Sequence, residues 1–139
     1  MTTKSAEEPL TGMNHTRMKR TVRWLPAILW AGVIFYASSR PGSTLPGGYS
    51  IEGHLGEYFI FGALLVWALS PPMTLGRAVA IAAILASVYG MTDEFHQHFV
   101  AQRTPDVVDW GFDTIGALAG ALTARTVSEF LARRRQRSA

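Results

Sequence analysis

Cysteine is absent from the 139 residues, so disulfides, thiolate metal ligands and a cysteine nucleophile are all excluded. Charge is scarce as well. Asp, Glu, Lys and Arg make up 17% of the chain against 48% hydrophobic residues, which is lean for a soluble domain. No internal repeat of useful length is visible, and the length allows one domain but no second. A net charge of +3 would suggest a nucleic-acid partner only if the charge were mixed over one surface. No aromatic or fold signature of nucleic-acid binding accompanies it, so nucleic acid is not an expected partner.

The charge is instead segregated. Lys4, Arg17, Lys19, Arg20 and Arg23 precede the first apolar run, and Arg133, Arg134, Arg135 and Arg137 follow the last. The acids Glu52, Asp93, Glu94 and Asp106 fall between hydrophobic segments, and Glu57, Asp109 and Asp113 near the start of one. Composition implies a membrane protein, and the layout of charge implies an oriented one.

Four apolar segments cover residues 22–38, 54–70, 76–90 and 107–131. A membrane span takes about 20 mostly apolar residues, with about 17 tolerated. The first and third therefore need their polar flanks to join the helix. Pro41, residues 46–48, Pro71 with Pro72, and residues 102–105 break the chain between segments. Trp24, Tyr36, Tyr58, Trp67, Tyr89 and Trp110 stand near segment ends, where interfacial aromatics collect.

The expected fold class is all-α: a polytopic membrane protein, a four-helix transmembrane bundle with both termini cytoplasmic. Residues 1–21 read as a disordered basic N-terminal tail, 22–131 as the four-span membrane domain and 132–139 as a basic cytoplasmic tail. Lys and Arg near span ends stay cytoplasmic. Both termini are basic and the second loop carries Arg77, whereas the other two loops hold only Arg40 and Arg103. A rival reading takes residues 19–39 as a secretory signal peptide, whose removal would leave three spans. Met18 offers a second start. The C-terminal arginines are expected at anionic lipid headgroups.

In the four-span arrangement the loops over 39–53 and 91–106 face outward, taking the acids, His54, His96 and His98 with them. Ionisable groups in or near hydrocarbon are costly and usually face a bundle interior or a watery cavity. His54 and Glu57 are three apart and share a helix face. Asp93, His96 and Gln97 do likewise if the third helix continues through them. Asp109, Asp113, Gly116 and Gly120 form one stripe of the fourth segment, and Gly116 to Gly120 is a GxxxG that lets backbones approach closely. Ala83, Ser87, Gly90, Glu94 and Gln97 line one face of the third segment. Two small-residue faces ending in acids imply a shared polar pocket.

Within it, His54, Glu57, Asp93 and His96 are the candidates for acid–base catalysis. Glu94, Gln97, Arg103, Asp109 and Asp113 are the candidates for substrate binding, with Arg103 suited to clamping a phosphate or carboxylate. The same groups suit a divalent cation, though neither a metal nor another cofactor follows from the residues alone. The plainer alternative has Arg103 paired with Asp106 or Asp109, and the other groups hydrogen-bonding helices together. His98 lies off the stripe and Glu52 in a loop, so both are expected in solvent. Ser39 is expected to make a helix-end hydrogen bond.

Over residues 90–120 the chain resembles the VanZ-like family of small bacterial membrane proteins. That family's pattern is an Asp-Glu-x-x-Gln core, a nearby Arg, then acidic or amide positions before a Gly. Here these read Asp93-Glu94-Phe95-His96-Gln97, Arg103, Asp109, Asp113 and Gly116. Ser39 with Pro41 resembles the family's Ser-x-Pro, and His54-Leu55-Gly56-Glu57-Tyr58 its second-span His motif. The family commonly has Asp-Lys shortly before that His, where this chain has Ser50-Ile51. The likeness covers roughly residues 24–126.

It implies a multi-pass protein of the cell membrane, linked to resistance to teicoplanin-type glycopeptides, with no settled mechanism. The partners it implies are membrane lipids and either a lipid-linked envelope precursor or the antibiotic itself. Turnover and oligomeric state stay open. A non-catalytic shield of the antibiotic's target is the second reading. A small drug exporter is the third, against which the first segment (22–38) lacks an acid.

Overall fold

The computed structural model of the protein describes residues 20–42, 51–70 and 73–138. The basic tail expected over 1–21 lies outside these residues except for Arg20 and Thr21, which are already helical. The breaks at 46–48 and at Pro71 and Pro72 also lie outside them.

All regular structure among the described residues is helical. Four main helices follow in order: α1 Leu25–Ser38, α2 Ile51–Leu69, α3 Leu75–Gln97 and α4 Val107–Arg137. Pro26 stands in the first turn of α1, where its fixed φ suits a helix and its missing N–H is no loss. Pro41 follows soon after the end of α1. Asp106 caps α4, its carboxylate accepting the Val108 N–H at 2.8 Å, one of the donors a helix start leaves unsatisfied. The third helix does continue through Asp93, His96 and Gln97. The fourth runs past residue 131 to Arg137, so most of the expected C-terminal tail is helical.

The packing is inverted relative to a water-soluble bundle. Much of the interior is small: Ala27, Ala78, Ala82, Ala86, Ala117 and Ala121 are almost wholly buried. Large apolar side chains such as Ile28, Leu29, Ile84, Val88, Ile115 and Leu122 point outward. In water that exterior would be unfavourable, and in lipid it is the normal outer surface. Two helices, Arg20–Ser38 and Leu75–Gln97, are long and apolar enough to cross a membrane.

Helices α2 and α4 make the closest seam. Gly62 lies against the Ala117 carbonyl, Gly116 against that of Leu55 and Gly120 against that of Phe59. A Cβ on Gly116 would stand 2.6 Å from the Leu55 oxygen. The GxxxG is therefore used inside the chain.

Not all the aromatics at segment ends serve as interfacial anchors. Tyr58 is 1% exposed. The Tyr89 hydroxyl donates to the Ala31 carbonyl at 2.7 Å, and the Trp110 indole to that of Ser87 at 2.9 Å. The physical reason is local: rings packed between helices bring their polar tips inside the bundle, where those of Tyr89 and Trp110 find backbone carbonyls. Trp67 is exposed as expected, with the Arg23 guanidinium 4.5 Å from its ring centroid and donating to its carbonyl.

Candidate functional site

Helices α1 and α3 end where α2 and α4 begin, and this chain direction builds the site. Ser38, His54, Asp93, Glu94, Gln97 and Asp113 all lie at that end, and all are buried. Six polar side chains withdrawn from water at one end of a small bundle are costly unless they satisfy one another or a ligand.

At the centre, His54 Nδ1 lies 2.8 Å from Asp113 Oδ1, with the two residues 1% and 0% exposed. The carboxylate accepts, so the proton of this bond sits on Nδ1. The other ring nitrogen, Nε2, faces Asp109 Oδ2 at 3.7 Å. Asp109 is the open side of the group, its side chain 28% exposed.

Helix α3 supplies a second pair of acids. The Gln97 amide donates to Asp93 Oδ2 at 3.3 Å and lies 3.5 Å from Glu94 Oε1. Glu94 Oε2 accepts the Asp106 N–H at 2.8 Å, which ties the end of α3 to the start of α4. Ligand atoms of His54, Glu94 and Asp109 lie within 4.8 Å of one another. Asp113 Oδ2 and the Tyr58 hydroxyl are buried without a hydrogen-bond partner among the described residues.

The structure thus brings together His54, Asp93, Glu94, Gln97, Asp109 and Asp113. His96 turns towards α1, its Nε2 3.0 Å from the Ser39 hydroxyl and its ring stacked 4.4 Å from Phe35. The Ser39 hydroxyl also bonds the Phe35 carbonyl, a helix-end role as expected. Glu57 is half-buried, and its backbone carbonyl accepts the Trp30 indole N–H. Arg103 donates to the carbonyls of Ala37 and Arg40, each at 3.3 Å, at the C-terminal end of α1. Both lie at the C-terminal end of α1, where the helix dipole is negative, a natural seat for a guanidinium, and the Ala37 carbonyl also accepts the Arg40 N–H at 3.2 Å. His98 is exposed.

Tyr58 was missed as a member of this cluster. It stands one turn after His54 on the same face of α2, and that spacing is the signal that could have found it.

Described residues whose regular structure is all helical, with an apolar exterior, a small-residue seam and a buried charged cluster, are built as a helical membrane protein. The chain belongs to the VanZ/LLP1 family, which it matches over residues 23–128. Among curated proteins and among solved structures, none matches it.

Proposed function

We propose that the protein spans the bacterial cell membrane four times with both termini cytoplasmic, and that its outward polar pocket binds a lipid-linked anionic envelope molecule. The consequence is lowered sensitivity to teicoplanin-type glycopeptides. The lengths support four spans. Helix α2 has 19 residues, about 28 Å at 1.5 Å per residue, close to a hydrocarbon core of about 30 Å. Helix α4 has 31 residues, about 46 Å, so its arginine-rich end extends beyond the hydrocarbon.

Because the chain has no cysteine, single introduced cysteines test this topology. Ala101→Cys should react with a membrane-impermeant maleimide on intact cells, and Ser138→Cys only after lysis. The reverse pattern would overturn the orientation.

The observation that carries the binding role is the buried pair His54–Asp113, open towards Asp109 on one side and bordered by Glu94. Glu94 also lines a cavity of about 140 Å³ with Met91, Pro105, Asp106, Val107 and Trp110. A cleft with apolar walls and a carboxylate at its edge suits a ligand carrying both a lipid chain and a polar head. His54 is the best-placed acid–base group, with Asp113 fixing its ring and Asp93 next in line. Glu94, Gln97, Asp109 and Asp113 frame the bound head. Arg103 and His96 brace the C-terminal end of α1 beside the pocket, and the Glu57 carbonyl ties α2 to α1 through Trp30.

The test is expression in a susceptible host with membrane abundance and teicoplanin tolerance measured together. Wild type should raise the tolerated concentration, and equally abundant Asp93→Asn and His54→Ala forms should return it to the empty-vector value. Wild type at full abundance with no gain in tolerance would overturn the role.

A further inference from the structure

An anionic ligand meets an electrostatic obstacle in this pocket. Asp93, Glu94, Asp109 and Asp113 gather about one imidazole, while Arg103 gives N–H groups to carbonyls of α1. Carboxylates this close repel one another and any incoming anion, and poor solvation strengthens that repulsion. A bound cation removes both difficulties.

Resting on the pocket reading above, we propose that His54, Glu94 and Asp109 hold a divalent cation of the zinc or manganese kind, which receives the ligand's anionic group. Three observations converge. The first is spacing. The three ligand atoms lie within 4.8 Å of one another, and His54 Nε2 stands 3.7 Å from Asp109 Oδ2. That gap is too long for a hydrogen bond. It is near the roughly 3.3–3.6 Å between two ligands of one tetrahedral ion, each about 2.0–2.2 Å from it.

The second is what stands behind the imidazole. Asp113, wholly buried, accepts a hydrogen bond from Nδ1–H at 2.8 Å, which turns the Nε2 lone pair towards Asp109 and Glu94. A carboxylate on the far nitrogen is the usual support of a metal-bound histidine, fixing both tautomer and ring orientation. The third is a shortage of donors. The Tyr58 hydroxyl, 1% exposed and within electrostatic reach of Asp113 and Asp93, has no hydrogen-bond partner among the described residues, and neither has Asp113 Oδ2. Among the described residues, the acids of the cluster outnumber its one imidazole.

One imidazole with two carboxylates favours zinc or manganese over magnesium or calcium, which prefer all-oxygen sites. Three protein ligands leave a coordination position for an oxygen of phosphate or carboxylate. Asp109, the partly exposed ligand, marks the side from which that oxygen arrives.

The experiment uses the full chain, purified in detergent without a polyhistidine tag, titrated calorimetrically with zinc or manganese chloride alone and assayed for bound metal. One ion per chain is expected. Asp109→Asn, which keeps shape at a partly exposed position, and Glu94→Gln should each weaken binding at least tenfold. Asp113→Asn, acting through His54, should weaken it roughly 10–100-fold. His98→Ala should bind as wild type does. Unchanged helical circular dichroism in the variants separates lost ligands from lost fold.

A wild type that binds neither ion, or Asp109→Asn and Glu94→Gln proteins that bind as wild type does, would overturn the site. No metal combined with pocket variants that still abolish tolerance removes the cation and leaves the pocket role standing. Bound metal lost in the variants, with tolerance unaffected, keeps the cation site and removes the resistance role.

Discussion

Gly120→Leu leaves little or no folded protein in the membrane. A Cβ at Gly120 would run into the carbonyl oxygen of Phe59, closer than real Cβ contacts come, and that atom belongs to the backbone of α2. No rotamer change relieves such a clash. Gly62 against Ala117 and Gly116 against Leu55 hold the same seam on either side, so α2 and α4 would have to part along their contact. Overpacking that side chains can absorb costs about 1–3 kcal/mol. Separating backbones forfeits the close van der Waals contacts that hold membrane helices together, a loss comparable to the 5–15 kcal/mol of a typical fold. Membrane abundance and melting temperature in detergent report it. Gly32→Leu and Gly111→Leu are the controls, because a Cβ at either meets nothing within 4 Å, and both should stay near wild type. Gly120→Leu protein that accumulates and melts normally would refute the seam.

That seam was half legible in the sequence. The spacing of Asp109, Asp113, Gly116 and Gly120 follows the helical period, so it reveals a shared face without structure. Which helix the face meets is not periodic information. The pairing of that stripe with Leu55 and Phe59 of α2 appears only in the fold.

The polar cluster divides in the same way. Asp93, Glu94 and Gln97, expected in one group, are hydrogen-bonded together, because α3 continues through them. His96 shares the spacing yet turns to Ser39 and Phe35. Three residues along a helix leave side chains about 60° apart, enough to reach a different neighbour. Arg103 reads as a clamp for a phosphate or carboxylate, or on the plainer alternative as a partner of Asp106 or Asp109, and the structure gives it carbonyls of Ala37 and Arg40. Backbone acceptors at the end of α1 have no signature in side-chain sequence. Tyr58 was placed at the interface because aromatics near segment ends usually lie there, whereas its position one turn after His54 carries it inside.

Replacing Asp113 alone should destabilise the protein more than replacing Asp113 and His54 together. The pair is fully buried with 2.8 Å between Nδ1 and Oδ1. In Asp113→Leu the His54 N–H loses its acceptor where water does not reach. Such a break costs about 3–5 kcal/mol if the imidazole is charged and about 1–3 kcal/mol if it is neutral. Leu at both positions removes donor and acceptor together, a change often neutral or stabilising for a buried pair. Asp109 then loses a neighbour but keeps solvent access, with 28% of its side chain exposed. A double-mutant cycle on melting temperature in detergent should therefore show strong coupling, with most of the loss in Asp113→Leu recovered by His54→Leu. The double variant also separates fold from function. At wild-type abundance it should confer no more teicoplanin tolerance than empty vector, because the imidazole at the pocket's centre is gone. Equal tolerance in wild type and double variant would make the pair a packing device and place any activity elsewhere. A double variant as unstable as Asp113→Leu would mean that the carboxylate serves a wider network than His54 alone, with Tyr58 and the Gly90 backbone beside it the next positions to probe.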